Sequence, residues 1–228
     1  MTNTLHRFGP AKSFVDDYVI IAIPTKGVEN GVDALPALKR FLEIALEYHP
    51  VNLGDALNGG SVRPTRHKWA IQHFVSDRSE KPNYRQVLEG MTKPTTFAAI
   101  FDKKENAEAF IARIKEENLG LSINISSSLE NAKGCADRAG IPRHSIGYSL
   151  GFEGMPDNIP NRHVVMLSTM CGHGMVSQAF AKKMIDWVKE DRATPEQAIA
   201  AMARFCSCGI FNPTRAKRIL EEARVKTF

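Results

Sequence analysis

The chain has 228 residues, 43% of them hydrophobic, with four cysteines and a formal charge of +5. That is enough apolar residue for one large core or two small ones, and too few cysteines for a small disulfide scaffold. The longest apolar runs, 18–24 and 164–167, are strand length and far short of the ~18 residues of a membrane span. Residues 1–10 lack the apolar stretch of a signal peptide, so the expectation is a reduced cytoplasmic protein. The basic residues are interleaved with acids, as in 102–108, and the aromatic residues form no spaced platform on a basic strand, which disfavours a nucleic-acid partner. A homo-oligomer is compatible with the sequence.

In chain order, Asp17 to Pro24 is a β-branched run ended by Pro24 and Gly27, which reads as a buried strand. A helix is expected from an Asp33 N-cap, with Pro36 in its first turn and Leu35, Leu38, Leu42, Ala45 and Leu46 on one face; His49-Pro50 stops it. Residues 51–64, with Gly54, Gly59, Gly60 and Pro64, read as a long loop of the kind that carries function or moves. A strand is expected over 67–75, a polar loop over 77–94, and a strand over 96–101.

Asp102 and Glu105 match a capping box for a helix bearing Ala107, Phe110, Ile111 and Ile114, and 119–126 reads as a strand. Ser127 and Glu130 match another box, for a helix over 129–139, followed by strands at 144–151 and 163–168 around a turn-rich stretch. From there the pattern is helical. Val176, Phe180, Met184, Trp187 and Val188 share a face, Thr194-Pro195-Glu196-Gln197 opens the next helix, and Asn212-Pro213 opens the last.

The fold class expected is α+β: a ferredoxin-like βαββαβ order, then two further strands and a helical C-terminal third. Residues 1–128 form the ferredoxin-like half. Residues 129–228 carry a strand pair and the C-terminal helices, and the two parts are expected to make one compact unit.

The most informative set is Cys171, His173, Cys206 and Cys208. Gly172 and Gly174 allow turns that let Cys171 and His173 point into one space, next to the positive end of the following helix. Cys206 and Cys208 lie in the break between two helices, with Gly209 suited to a left-handed turn. Three thiols and an imidazole are the ligand set of a tetrahedral Zn²⁺ site, and equally suit an iron–sulfur cluster with one unusual or open position. The other readings are small buried hydrophobes, a Cys206/Cys208 redox pair, or a Cys171 nucleophile at a helix N-terminus. Cys135 stands alone and reads as packing.

Arg63, Arg66, His67 and Lys68 follow the glycine-containing loop and suit a phosphate or carboxylate; an ordinary solvated basic surface is the plainer reading. Lys26 is a loop lysine with the same two readings. His144, His163 and Tyr148, with His173, are candidates for proton transfer, against a structural role for each. Ser145, Tyr148, Ser149, Asn124 and Ser126 are polar positions in apolar strands, suited to line a pocket.

The function expected is a metal-dependent enzyme, a lyase or oxidoreductase, using a centre of three cysteines and one histidine, with zinc or an iron–sulfur cluster, on a small anionic substrate. The alternatives are a non-enzymatic protein in which zinc pins the C-terminal helices and the ferredoxin-like half binds a partner or small effector, and a metal-free thiol enzyme.

Overall fold

The computed structural model describes residues 5–25, 34–56, 59–61, 84–147 and 161–225. Among these, a mixed α+β architecture is built on a five-stranded antiparallel sheet in the order β3-β2-β4-β1-β5. The strands are β1 (Tyr18–Pro24), β2 (Asn52–Asp55), β3 (Gly59–Gly60), β4 (Phe97–Phe101) and β5 (Leu121–Ser126). The helices are α1 (Leu35–Glu47), α2 (Tyr84–Gly90), α3 (Lys104–Glu117), α4 (Leu129–Arg138), α5 (Arg162–Ser168), α6 (Gln178–Lys189), α7 (Pro195–Ala203) and α8 (Pro213–Val225).

β1 lies between β4 and β5, pairing Tyr18 with Phe101 and Val19 with Ser126. Its apolar run is continuous because both faces are covered, as the two-residue alternation of strand side chains requires. Tyr18, Ile20 and Ala22 join a core with Phe41 of α1, Phe101 of β4 and Phe110 of α3, whose rings meet at 5.0–5.1 Å. Val19 and Ile21 join a second core, with Ala98 and Ile100 of β4, made by the helices α5 to α8.

A buried ionic anchor stands where β1 begins. The Asp17 carboxylate is 2.9 Å from Arg7 and 2.7 Å from Arg215, and accepts a hydrogen bond from Asn212 at 2.9 Å. Arg215 also lies over the Phe14 ring, 3.9 Å from its centroid. Asn212 caps α8 by accepting from the Arg215 N–H at 3.0 Å, so one residue both opens the last helix and ties it to the strand.

Several sequence expectations need correction. Residues 163–168 are not a strand: they form α5, with Asn161 accepting from the His163 N–H at 2.9 Å. A short apolar run buried all round has no periodicity to distinguish strand from helix. Residues 141–147 carry no regular structure, and the rest of the strand expected over 144–151 lies outside the described residues, as does the one over 67–75. The loop expected over 51–64 contains β2 and β3, and the polar loop over 77–94 contains α2, whose Tyr84 hydroxyl donates to the Pro50 carbonyl.

Two capping boxes are displaced because their hydroxyl or carboxylate is engaged elsewhere. Asp102 accepts from Thr214 at 3.1 Å, leaving α3 to start after Lys103 without a side-chain cap. Ser127 donates to the Asp17 carbonyl at 2.6 Å, and Ser128 caps α4 instead. The box at Thr194 and Gln197 forms as expected, with bonds of 3.0 and 3.2 Å in both directions.

Candidate functional site

Past the end of α5 the chain turns through 169–176, with Gly174 at φ +70°. The turn folds backbone N–H groups around the Cys171 sulfur: that of Met175 lies 3.4 Å away, and those of His173 and Val176 also act on it. On the outside, Leu5 rests against Gly172, and the His6 N–H donates to the Gly172 carbonyl at 3.0 Å.

Past the end of α7 a second turn presents Cys206 and Cys208 and ends on Gly209 at φ +74°. This turn is clamped from the sheet. Asn52 on β2 donates to the carbonyls of Gly209, at 2.8 Å, and Phe211, at 2.9 Å, and accepts from the Ser61 hydroxyl at 2.7 Å. A Cβ on Gly54 or on Gly60 would stand 2.7 Å from the Gly209 Cα, so the β2–β3 hairpin and the cysteine loop touch backbone to backbone. No single stretch of the sequence announces this clamp. Its one legible trace is the glycine density at 54–60, which reads as looseness and is in fact close approach.

The two turns face each other. Cys206 Sγ lies 3.9 Å from Cys208 Sγ, and Cys208 Sγ lies 3.5 Å from His173 Nδ1. All three sulfurs are buried, whereas His173 is half-buried at the rim. None of the four cysteines is in a disulfide. Hydrogen bonding to Cys208, with burial behind it, pushes the Cys206 thiol well above its ordinary value; the same bond pulls Cys208 down. Burial, then the nearby Cys206, push Cys171 up, against the N–H groups of its own turn.

Among the described residues no three His, Cys, Asp or Glu side chains are assembled as a ready metal site. The donor chemistry and the two separations at Cys208 nevertheless fit one. Bonds of ~2.3 Å to sulfur and ~2.0–2.1 Å to nitrogen make tetrahedron edges of about 3.8 Å between sulfurs and about 3.5 Å between sulfur and nitrogen. Both separations match those edges. In a cubane cluster each thiolate binds a different iron, which spreads the sulfurs wider than one tetrahedron's edge. The pair therefore suits a single ion, or two thiolates on one iron.

The remaining candidates are placed elsewhere. His163 is buried at the far end of α5 from Cys171, with Nδ1 3.1 Å from Asn161 and Nε2 3.9 Å from Glu222. His144 is exposed in the stretch 141–147. Tyr148, Lys26, Arg63, Arg66, His67 and Lys68 lie outside the described residues. Cys135 is buried between α4 and the first core, its thiol pushed up to about 11 chiefly by burial, as suits packing.

Asn124, Ser126, His144 and Ser145 all line one groove of about 990 Å³ beside β5. No helix among the described residues is long and apolar enough to cross a membrane. No protein-family model, curated protein or solved structure matches the chain.

Proposed function

We propose that the chain is a metal-dependent enzyme whose ion is held by Cys171, His173, Cys206 and Cys208 and whose substrate is a small anion. The observation that supports this reading is the pair of separations at Cys208, 3.9 Å to Cys206 and 3.5 Å to His173, both of which match the edge lengths of a tetrahedral site. They favour zinc, or a single iron, over a cubane cluster.

In this reading the chain's own groups have separate tasks. The N–H groups of His173, Met175 and Val176 steady the Cys171 sulfur as a thiolate, and the Asn52 clamp fixes where Cys206 and Cys208 stand. His173, at the half-buried rim, is the donor that can yield its position to a substrate or pass a proton. A bound zinc ion would supply Lewis acidity there, the chemistry of a lyase. His163, held by Asn161 and facing Glu222, keeps no part in this proposal, and Arg63, Arg66, His67 and Lys26 stay in it as anion-binding candidates on sequence grounds.

A structural zinc is the second reading, favoured by the backbone contact of Gly209 with Gly54 and Gly60, which an ion at Cys206 and Cys208 would reinforce. We also propose that the N-terminal half is ferredoxin-like. With the two-residue β3 set aside, the antiparallel order β2-β4-β1-β5 and the α1 and α3 crossovers support it. A reducing cytoplasm is the compartment that suits four unpaired thiols.

Anaerobic purification followed by metal and sulfide analysis tests the proposal. The expected result is zinc or iron near one per chain without sulfide, retained in Cys135→Ser and lost in Cys208→Ser. Neither metal near stoichiometry would overturn it, and a single fast-alkylating cysteine in that metal-free protein would point to thiol chemistry instead. Chelation that lowers the melting temperature with no open coordination position, by cobalt substitution spectra, would select the structural reading.

A further inference from the structure

Helices cover both faces of β1 and β4, but β5 is left half-buried along its whole length. Leu121, Ile123 and Ile125 turn to the core of α1 and α3. By alternation Ser122, Asn124 and Ser126 turn to the opposite face, the one that α5 to α8 cover on the neighbouring strands. They line one side of a groove of about 990 Å³ that runs round the β5 edge, walled also by the Leu5–Arg7 segment and residues 140–147, with Lys115 of α3 on its other side. That volume is at the upper end for small-molecule pockets, and a few hydrogen-bonding groups on a mostly apolar wall are what such pockets show.

Charge decides what the groove takes. Lys115, Arg143 and His144 stand on its wall, and among the described residues no Asp or Glu lines it, in a chain with 25 acidic residues. Lys115 is held in place by donating to the carbonyls of Ala139, at 2.8 Å, and Gly140, at 3.2 Å, and among the described residues it forms no ion pair with a carboxylate. A cleft lined by one sign of charge concentrates the opposite sign.

We propose that this groove binds a small organic oxyanion, a carboxylate or phosphate ester. Its charged end meets Lys115, Arg143 and His144, and its hydroxyl or carbonyl groups meet Ser122, Asn124 and Ser126. The inference rests on the anionic-substrate part of the function proposed above and not on the metal. The groove wall also touches the cysteine turn, because Leu5 packs on Gly172 and His6 donates to its carbonyl. A ligand in the groove is thereby one segment away from Cys171.

Amide-resolved NMR titration of the full chain with citrate, with glycerol 3-phosphate and with uncharged glycerol tests it. Expected are saturable shifts at 122–126 and 143–144 with one or both anions and none with glycerol; the tighter anion identifies the charged group. Arg143→Glu, at an exposed position, should weaken binding by about tenfold or more, as should Ser122→Asp, while the exposed Lys93→Glu leaves it unchanged. Shifts scattered over basic residues, insensitive to Arg143→Glu, would mean an adventitious ion only and overturn the proposal, as would no saturation by either anion. Metal content is read on the same samples. A saturable groove without metal overturns the metal centre alone, and stoichiometric metal without a saturable anion overturns the groove alone.

Discussion

Asn52 reaches across 157 residues of sequence to hold Gly209, its Nδ2 lying 2.8 Å from the Gly209 carbonyl oxygen. The same amide serves Phe211 and the Ser61 hydroxyl, so one buried side chain satisfies three groups, two of them in a distant loop and one just past the neighbouring strand. Asn52→Ala strands two carbonyls and a hydroxyl and should cost about 2–4 kcal/mol in urea unfolding. If the thiols hold an ion, the same variant should also bind it about 10–100-fold more weakly, because the loop that aims Cys206 and Cys208 loses its support.

Gly209→Ala and Gly174→Ala form an informative pair. Both residues have φ near +70°, so both substitutions carry the strain of a left-handed side chain, about 1–2 kcal/mol. A Cβ at Gly174 meets open space, whereas one at Gly209 falls 2.8 Å from the Gly54 Cα and against the Gly60 backbone. The midpoint of chemical unfolding should therefore move modestly for Gly174→Ala and by at least twice as much for Gly209→Ala. Equal shifts would mean that the hairpin yields.

Acid should weaken the fold through Asp17. Burial alone would raise its pKa, but the Arg7 and Arg215 guanidiniums and the Asn212 amide hold the carboxyl below its ordinary 3.8. Above that value the carboxylate is charged in folded and unfolded chains alike, and its stabilisation is fully present. As pH falls below 3.8 the unfolded chain takes up the proton first, so stability drops until the folded carboxyl is protonated too. Asp17→Asn, which leaves two buried guanidiniums facing a neutral amide, should lose about 3–5 kcal/mol at neutral pH and flatten the dependence below about pH 4. Unfolding curves at about pH 7, 5 and 3 for both proteins measure it.

Thr194→Ala removes the hydroxyl that accepts from the Gln197 N–H and opens the reciprocal box at the start of α7. A loss of about 1 kcal/mol is expected in thermal unfolding. Gln197→Ala removes only the return bond and should cost less. The order would reverse if the Gln197 side chain, not the hydroxyl, carried the cap.

Elements with a full period of alternation or helical repeat were legible: β1 and β4, and the helices α1, α3, α6 and α8 fall where their apolar positions put them, while α4 and α7 were announced by their start signals. α5 was not, because Val164 to Leu167 are buried on every side and such a run has no face to read. β2 and β3 were not, because Gly54, Gly59 and Gly60 pair through backbone and bring almost no side chains to alternate. Local cap signals misled where a distant partner displaced the neighbouring amide, as Thr214 does at Asp102. The two glycine-bearing turns that carry Cys171, His173, Cys206 and Cys208 were legible, although a helix and not the expected strand leads into the first. The clamp that fixes the second depends on Asn52, whose partners no local pattern names.

β1 carries apolar side chains to two different cores, Val19 and Ile21 to one, Tyr18 and Ile20 to the other. Sliding the strand by one residue would exchange these sets without exposing any of them to water, so hydrophobicity alone does not penalise the slip. The register is set instead at the strand's entrance. Asp17 has its charge matched between Arg7 and Arg215 in the register the strand adopts, and it acts as a pin that tells the sheet which of its two greasy faces is which.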